Sequence, residues 1–233
     1  LEFRRVLFRS KKIKELVSIP VSVVGRIVTP EAAEAVITNG SADIVALGRS
    51  LLTDPDFANK CADGHCCDVR TCMMCNKGCT DNIQNRAFLS CVLNAENGYE
   101  TSRQITPAVT AKRIAIIGAG IAGLEAARVA ALRGHQVTIF EKSLQIGGQL
   151  LIASVPPRKE EMMRSINYYL NVLPELSVTF RLGQEFTGKD YDSFDEVIVA
   201  TGATNAIIPV PGKDLPIVTS AWDILAKKEI VFG

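Results

Sequence analysis

The sequence has almost no net charge, no long uninterrupted apolar run and no low-complexity tract. Its 233 residues carry 26 Lys and Arg against 25 Asp and Glu, so no excess of charge points to nucleic acid or to an anionic membrane surface. The most apolar stretch, residues 114–132, is interrupted by Glu125, Arg128 and glycines, which argues against a transmembrane helix. These absences predict a globular, cytoplasmic protein without a nucleic-acid or membrane partner, and a homo-oligomer is compatible with them.

Seven cysteines are the unusual feature of the composition. A secreted disulfide scaffold is usually shorter and has an even number of cysteines, so a cytosolic metal or cluster protein fits better. Cys72, Cys75, Cys79 and Cys91 are spaced C-x2-C-x3-C-x11-C, whereas the other three have no regular spacing. This crowded run with one outlier favours a 4Fe–4S cluster, because zinc ribbons have two separated C-x-x-C pairs. Zinc at these four cysteines and cysteines without a ligand are the alternatives, and a separate zinc site that includes His65 also stays open.

Residues 11–59 predict a β-α-β unit. Two short strands, at 20–24 and 42–47, flank a helix that Thr29 is expected to cap, and each strand ends in a Gly-Arg pair. The two pairs are Gly25-Arg26 and Gly48-Arg49. In a β/α barrel the last two loops after strands often bind a phosphate, since glycine admits the anion to the backbone N–H and arginine offers a charged fork. Two ordinary turns are the alternative.

Residues 109–233 open with a dinucleotide fingerprint in the expected context. A β-branched strand at 113–117 precedes G-A-G-I-A-G, an alanine-rich helix follows, and the next strand, 136–140, leads into an acidic residue. The glycines would admit a pyrophosphate to the helix N-terminus, and the acid would accept hydrogen bonds from ribose hydroxyls. The candidate residues are Gly118, Ala119, Gly120, Gly123 and Glu141. A glycine-rich turn in an ordinary α/β fold is the alternative.

Two later turns favour a flavin site over a simple NAD site. The first follows the ribose acid and contains Gly148, Gln149 and Leu150. The second, Thr201-Gly202, follows a strand at 196–200. At both turns the backbone could approach a large bound cofactor closely, although plain loop turns would have the same composition.

The order of these motifs resembles one family. The Gly-Arg pairs, LLTDPDFANK, CMMCNKGC, SCVLNAENGYE and IIGAGIAG are similar to the multidomain NAD(P)H:flavin oxidoreductases of the old yellow enzyme class, which include dienoyl-CoA reductase, enoate reductase and trimethylamine dehydrogenase. The resemblance implies an α/β protein with the C-terminal piece of an FMN-binding (β/α)8 barrel in residues 11–59. A 4Fe–4S segment and linker would occupy residues 60–108, and an incomplete Rossmann-like domain for FAD and NAD(P)H residues 109–233.

The resemblance also implies roles for the candidate residues. The two Gly-Arg pairs would form the end of the FMN phosphate site, the four regularly spaced cysteines would bind the cluster, and the fingerprint and later turns would contact FAD or, as in trimethylamine dehydrogenase-like members, ADP. Electrons would pass from NAD(P)H through FAD and the cluster to FMN, which reduces an activated alkene in a small-molecule substrate. No catalytic residue can be assigned. An amine dehydrogenase and a non-catalytic electron-transfer subunit are the alternatives.

Both ends of the chain are expected to differ from the natural protein. Residues 1–10, LEFRRVLFRS, can be encoded by ten codons that match a common short-read sequencing adapter, so they are excluded from the fold argument. Residues 221–228 predict a helix, and 229–233 predict the start of a strand. We expect the natural gene to carry barrel sequence in place of the decamer and a second G-x-G-x-x-G within roughly 15 residues after Gly233.

Overall fold

The computed structural model describes residues 2–226, with side chains from residue 8 onward, as an α/β fold that contains two parallel sheets. The predicted α/β class is therefore confirmed. The chain divides into two compact units, Leu1–Gln104 and Ile105–Gly233. Among the described residues no helix is long and apolar enough to cross a membrane. The strand predicted at 229–233 lies outside the described residues.

The first unit contains short helices and a two-stranded sheet. Its helices are α1 (Glu2–Lys14), α2 (Pro30–Thr38), α3 (Arg49–Thr53), α4 (Phe57–Ala62) and α5 (Thr80–Gln84), with a 3-10 turn at Cys66–Asp68. Strand β1 (Ser22–Val24) pairs in parallel with β2 (Ile44–Ala46), and α2 connects them. Val23 and Val36, which are 4% and 0% exposed, lie at the centre of a small core between this helix and the sheet.

Helix α2 begins as its sequence predicts. The hydroxyl oxygen of Thr29 accepts a hydrogen bond from the Ala32 N–H at 3.2 Å, and Pro30 occupies the first turn, where its missing N–H costs nothing. Gly40 follows the helix with a φ of +62°, a conformation that glycine adopts readily at a helix end. These local signals fix both ends of the connection between β1 and β2.

The second unit is a four-stranded parallel sheet in the order β5-β4-β3-β6. Its strands are β3 (Arg113–Ile117), β4 (Gln136–Glu141), β5 (Thr179–Leu182) and β6 (Glu196–Val199). Its helices are α6 (Ile121–Leu132), α7 (Gln149–Ala153), α8 (Met163–Glu175) and α9 (Ala221–Leu225), with 3-10 turns at Glu160–Met162 and Gly188–Ser193. The core lies where α6 and α8 cover β3 and β4, and Ile116, Leu124, Ile139 and Leu173 are completely buried there.

A largely buried ion pair within α6 is also hydrogen-bonded to α8. Arg128, which is 8% exposed, donates to Glu125 from both Nε and Nη2 at 2.8 Å, and the Tyr169 hydroxyl donates to the same carboxylate at 2.9 Å. This bidentate ion pair raises the pKa of the guanidinium against the opposing effect of burial. The acid therefore stabilises a cation that solvent hardly reaches.

Replacing Glu125 with leucine should leave that cation buried without its carboxylate. We expect the free energy of opening of α6 to fall by about 3 kcal/mol, at the lower end of the range for a broken buried pair, because the Glu125 side chain is 29% exposed. Amide hydrogen exchange in α6 and α8 measures this loss. The double variant Glu125→Leu/Arg128→Met is the control and should recover most of it, and equal exchange in the single variant and the wild type would contradict the prediction.

Candidate cofactor-binding sites

The two Gly-Arg pairs lie at the same edge of the first unit's sheet. Because β1 and β2 run parallel, Gly25-Arg26 after β1 and Gly48-Arg49 after β2 emerge from the carboxyl ends of both strands. The Ser50 hydroxyl donates to the Ile27 carbonyl at 2.8 Å and fastens the two loops together. The structure thus brings all four candidate phosphate ligands to one edge.

Arg26 is held there in a conformation that most residues avoid. Its φ is +52° and that of the preceding Gly25 is +134°, so the chain turns through the left-handed region directly after β1. A non-glycine residue pays about 1–2 kcal/mol for such a conformation. Strained backbone of this kind is common at binding sites, which supports the interpretation of Gly25-Arg26 as part of a phosphate site.

The four regularly spaced cysteines line a single pocket of the first unit. Cys72 is 8% exposed and the other three are half-buried. Burial raises the pKa of the Cys72 thiol. The hydrogen bond that the Met74 N–H donates to Cys72 Sγ at 3.4 Å lowers the pKa, but by less. Cys91 lies on the facing segment, with its Sγ 3.5 Å from the Thr53 hydroxyl. Residues that are distant in sequence therefore share one pocket.

The backbone around the pocket is tightly constrained. Met74 and Asn76 have φ values of +55° and +62°, so the loop between the first and third cysteines passes twice through the left-handed region. At Gly78 a Cβ atom would lie 2.7 Å from the Ser90 carbonyl oxygen, and the Ser90 N–H donates to the Gly78 carbonyl at 2.8 Å. This close contact brings the segment of Cys79 against the segment of Cys91.

Four thiols around one pocket are a donor set that both a zinc ion and a 4Fe–4S cluster accept. Among residues 2–226 no three His, Cys, Asp or Glu side chains lie close enough to hold one metal ion. A zinc ion would draw its ligands to about 2.3 Å, whereas a four-iron cubane takes one thiolate at each of four separate irons.

The remaining three cysteines lie away from that pocket. Burial and a hydrogen bond with Cys66 raise the pKa of the Cys61 thiol to about 11, so it is almost fully protonated at neutral pH. Cys67 is exposed. Neither they nor His65 are among the residues that line the pocket.

Sequence reasoning missed the side chains that connect α3 and α4 to the cysteine segment. Asp54, only 5% exposed, accepts from Lys60 Nζ at 2.7 Å and from the Arg70 N–H at 2.8 Å. Asn94 Nδ2 donates to the Leu52 carbonyl at 2.9 Å. Both residues lie within stretches that carry the family resemblance, but no spacing rule distinguishes them from solvated polar residues.

The fingerprint glycines of the second unit have different structural reasons. A Cβ at Gly118 (φ +106°) would lie 2.4 Å from the Ala200 carbonyl oxygen, and one at Gly123 would lie 1.9 Å from the Gly118 carbonyl oxygen. These two allow β3, α6 and the turn after β6 to meet. Gly120 has a φ of −73° and an added Cβ would meet nothing within 4 Å. The protein itself would accept alanine there, so the open space fits an approaching ligand.

Glu141 stands at the end of β4, as predicted, and its carboxylate also holds the fingerprint turn. Its two oxygens accept from the Ala119 N–H at 2.8 Å and from the Ser143 N–H at 2.9 Å. A carboxylate has about four acceptor positions, so these two bonds leave capacity for ribose hydroxyls. Glu141 therefore stabilises the fingerprint turn and still has acceptor positions that a ribose could use.

The two later turns converge on the fingerprint. The Gly147 N–H donates to the Ala119 carbonyl at 2.8 Å, and Gln149 Nε2 donates to the Ala203 carbonyl at 2.9 Å. Gly148 and Gly202 both have positive φ, +53° and +73°, as tight turns require. Thr201 is exposed beside this junction, whereas Leu150 is half-buried and packs against the core.

Comparison with known proteins identifies the families that this chain matches. The pyridine nucleotide-disulphide oxidoreductase family matches residues 44–172 and 112–231, and the NADH:flavin oxidoreductase / NADH oxidase family matches residues 2–66. A bilirubin reductase of Mediterraneibacter gnavus is 57% identical over 226 residues, which cover 96% of this chain and 35% of that protein. The chain thus spans about a third of the length of the curated relatives it matches.

Solved structures give the same picture. A 2-naphthoyl-CoA reductase in complex with 2-naphthoyl-CoA is 31% identical and superposes with a TM-score of 0.92 over 97% of this chain and 35% of its own. A 6-hydroxypseudooxynicotine amine oxidase of Pseudomonas geniculata N1 is 32% identical with a TM-score of 0.85, covering 95% of this chain and 36% of its own. The resemblance to flavin oxidoreductases is therefore confirmed.

The contact between Gly78 and Ser90 predicts how the cysteine pocket can be opened. Gly78→Ala should force these backbones apart, cost about 1–3 kcal/mol of unfolding free energy and expose Cys72. Gly48→Ala is the matched control, because a Cβ there meets nothing within 4 Å and its φ is −101°. Urea unfolding and the rate of iodoacetamide labelling of Cys72, followed by mass spectrometry, measure both effects. Labelling of Cys72 at the same rate in both variants would refute the proposed constraint.

Proposed function

Because the chain belongs to the pyridine nucleotide-disulphide oxidoreductase family, we propose that it forms the central part of an iron–sulfur flavoprotein oxidoreductase that uses NAD(P)H. The observation that carries this proposal is that the four cysteines line one pocket in the unit that also holds both Gly-Arg pairs. When bound, the cofactors would supply hydride acceptance from NAD(P)H, one-electron transfer and reduction of an activated C=C bond.

The residues of the chain divide into three proposed sites. Cys72, Cys75, Cys79 and Cys91 would hold a 4Fe–4S cluster in the pocket that Gly78 keeps closed. Gly25, Arg26, Gly48 and Arg49 would bind the phosphate end of FMN at the edge where β1 and β2 finish. FAD, or ADP in its place, would bind at Gly118, Ala119, Gly120, Gly123, Glu141, Gly148, Gln149, Leu150, Thr201 and Gly202. These residues bind and orient cofactors, and none is assigned to proton transfer at the substrate.

The proposed substrate is a small molecule with an activated C=C bond. The 57% identity to a bilirubin reductase and the structural similarity to a 2-naphthoyl-CoA reductase favour such a reduction. The similarity to an amine oxidase favours, as a second candidate, oxidation of an amine with electrons running outward. The two candidates share every residue assigned above and differ in the direction of electron flow.

Anaerobic reconstitution tests the cluster assignment. The chain should take up about four irons and four sulfides, because the four thiolates each occupy one corner of a cubane. Cys79→Ser should sharply reduce this loading, whereas Cys67→Ser, the same change at an exposed cysteine outside the pocket, should leave it unchanged. Iron and sulfide analysis measures both. Stoichiometric zinc without iron after anaerobic purification would exclude the proposed centre.

The open space at Gly120 tests the nucleotide site without disturbing Glu141, which also holds the fingerprint turn. Gly120→Ala should leave thermal stability unchanged but weaken ADP or FAD binding by about tenfold or more, since a misplaced methyl group costs about 1–3 kcal/mol. Gly188→Ala is the control, because a Cβ there also meets nothing within 4 Å. Titration calorimetry with ADP gives the affinities. Equal affinity in both variants would rule out pyrophosphate approach at Gly120.

A further inference from the structure

Arg49 is engaged with the cysteine pocket as well as with the sheet edge. Its Nη1 donates to the Asn76 side-chain oxygen at 2.7 Å, and the half-buried side chain lines the pocket together with the four cysteines. Arg26, the arginine of the other Gly-Arg pair, does not line it. The two arginines occur in the same Gly-Arg motif, but they have different surroundings in the structure.

Arg49 is hydrogen-bonded through its backbone carbonyl as well as through its guanidinium. The carbonyl of Arg49 accepts from the Thr53 hydroxyl at 2.9 Å, and that hydroxyl lies 3.5 Å from Cys91 Sγ. The receiving Asn76 follows Cys75 directly and also accepts from the Thr80 hydroxyl at 3.4 Å. A fixed network thus joins Arg49 to the segments of two of the proposed ligands.

No charged side chain that lines the pocket offsets this guanidinium. Among the described residues that line it, Arg49 is the only one with a charged side chain; the others are thiols, amides, hydroxyls and apolar groups. Arginine keeps its charge throughout the accessible pH range. A fixed cation in a partly buried site stabilises negative charge that is added nearby.

We propose that Arg49 is a positioning residue that raises the reduction potential of the centre held by the four cysteines. This inference rests on the proposed function, in which those cysteines bind a 4Fe–4S cluster. Adding one electron, supplied by reduced flavin in the proposed enzyme, makes the centre more negative by one charge, and the guanidinium stabilises that state. Charge and hydrogen bonding around the sulfurs are the means by which proteins set such potentials.

The test is a reductive titration of the reconstituted 233-residue chain with dithionite, followed by electron paramagnetic resonance. Arg49→Gln should lower the midpoint potential by about 59 mV, which corresponds to a tenfold change in the one-electron equilibrium. Arg49→Lys keeps the charge and should retain most of the wild-type potential. Arg103→Gln removes the same charge at an exposed residue outside the pocket and should leave the potential close to that of the wild type.

Iron content separates this inference from the function on which it rests. If the wild type does not bind iron, both are overturned. If it does, but Arg49→Gln has the potential of the wild type or of Arg103→Gln, only the role of Arg49 is overturned. Should Arg49→Gln fail to load, Asn76→Gly carries the test, because glycine keeps the left-handed backbone while releasing the guanidinium. An unchanged potential in that variant would refute the inference.

Discussion

Within each unit, two backbone segments approach each other so closely that a single added methyl group would force them apart. In the first unit Gly78 meets Ser90, and in the second Gly118 meets Ala200, with 2.7 and 2.4 Å from an imagined Cβ to the facing carbonyl oxygen. Real Cβ atoms do not tolerate such distances, so only glycine permits these contacts. The cysteine pocket depends on the first contact, and the junction of the fingerprint with the turn after β6 depends on the second.

Parallel pairing of the strands turns these contacts into sites. In each sheet the carboxyl ends of the parallel strands lie at the same edge. The loops that follow the strands therefore meet there because of the topology alone. The loops after β1 and β2 bring together the Gly-Arg pairs, and the loops after β3, β4 and β6 bring together the fingerprint, Glu141 and Thr201-Gly202. Both proposed nucleotide sites are thus products of topology, to which a few glycines add close approach.

The sequence predicts well whatever is local or periodic. The strand at 113–117, the cap at Thr29 and the acid at the end of β4 follow from short patterns, and the structure has each of them. Long-range polar contacts leave no such pattern. Nothing in the spacing of Arg49 indicates that it reaches Asn76, 27 residues away.

The different burial of the cysteines determines which thiol an oxidant from solvent reaches first. Cys67 is exposed, Cys72 is 8% exposed, and the pKa of Cys61 near 11 keeps that thiol protonated and a poor nucleophile. Peroxide arriving from solvent therefore reaches Cys67 before it reaches Cys72. Oxidation would therefore begin at a thiol outside the pocket, and its first product there, the sulfenic acid, is reversible.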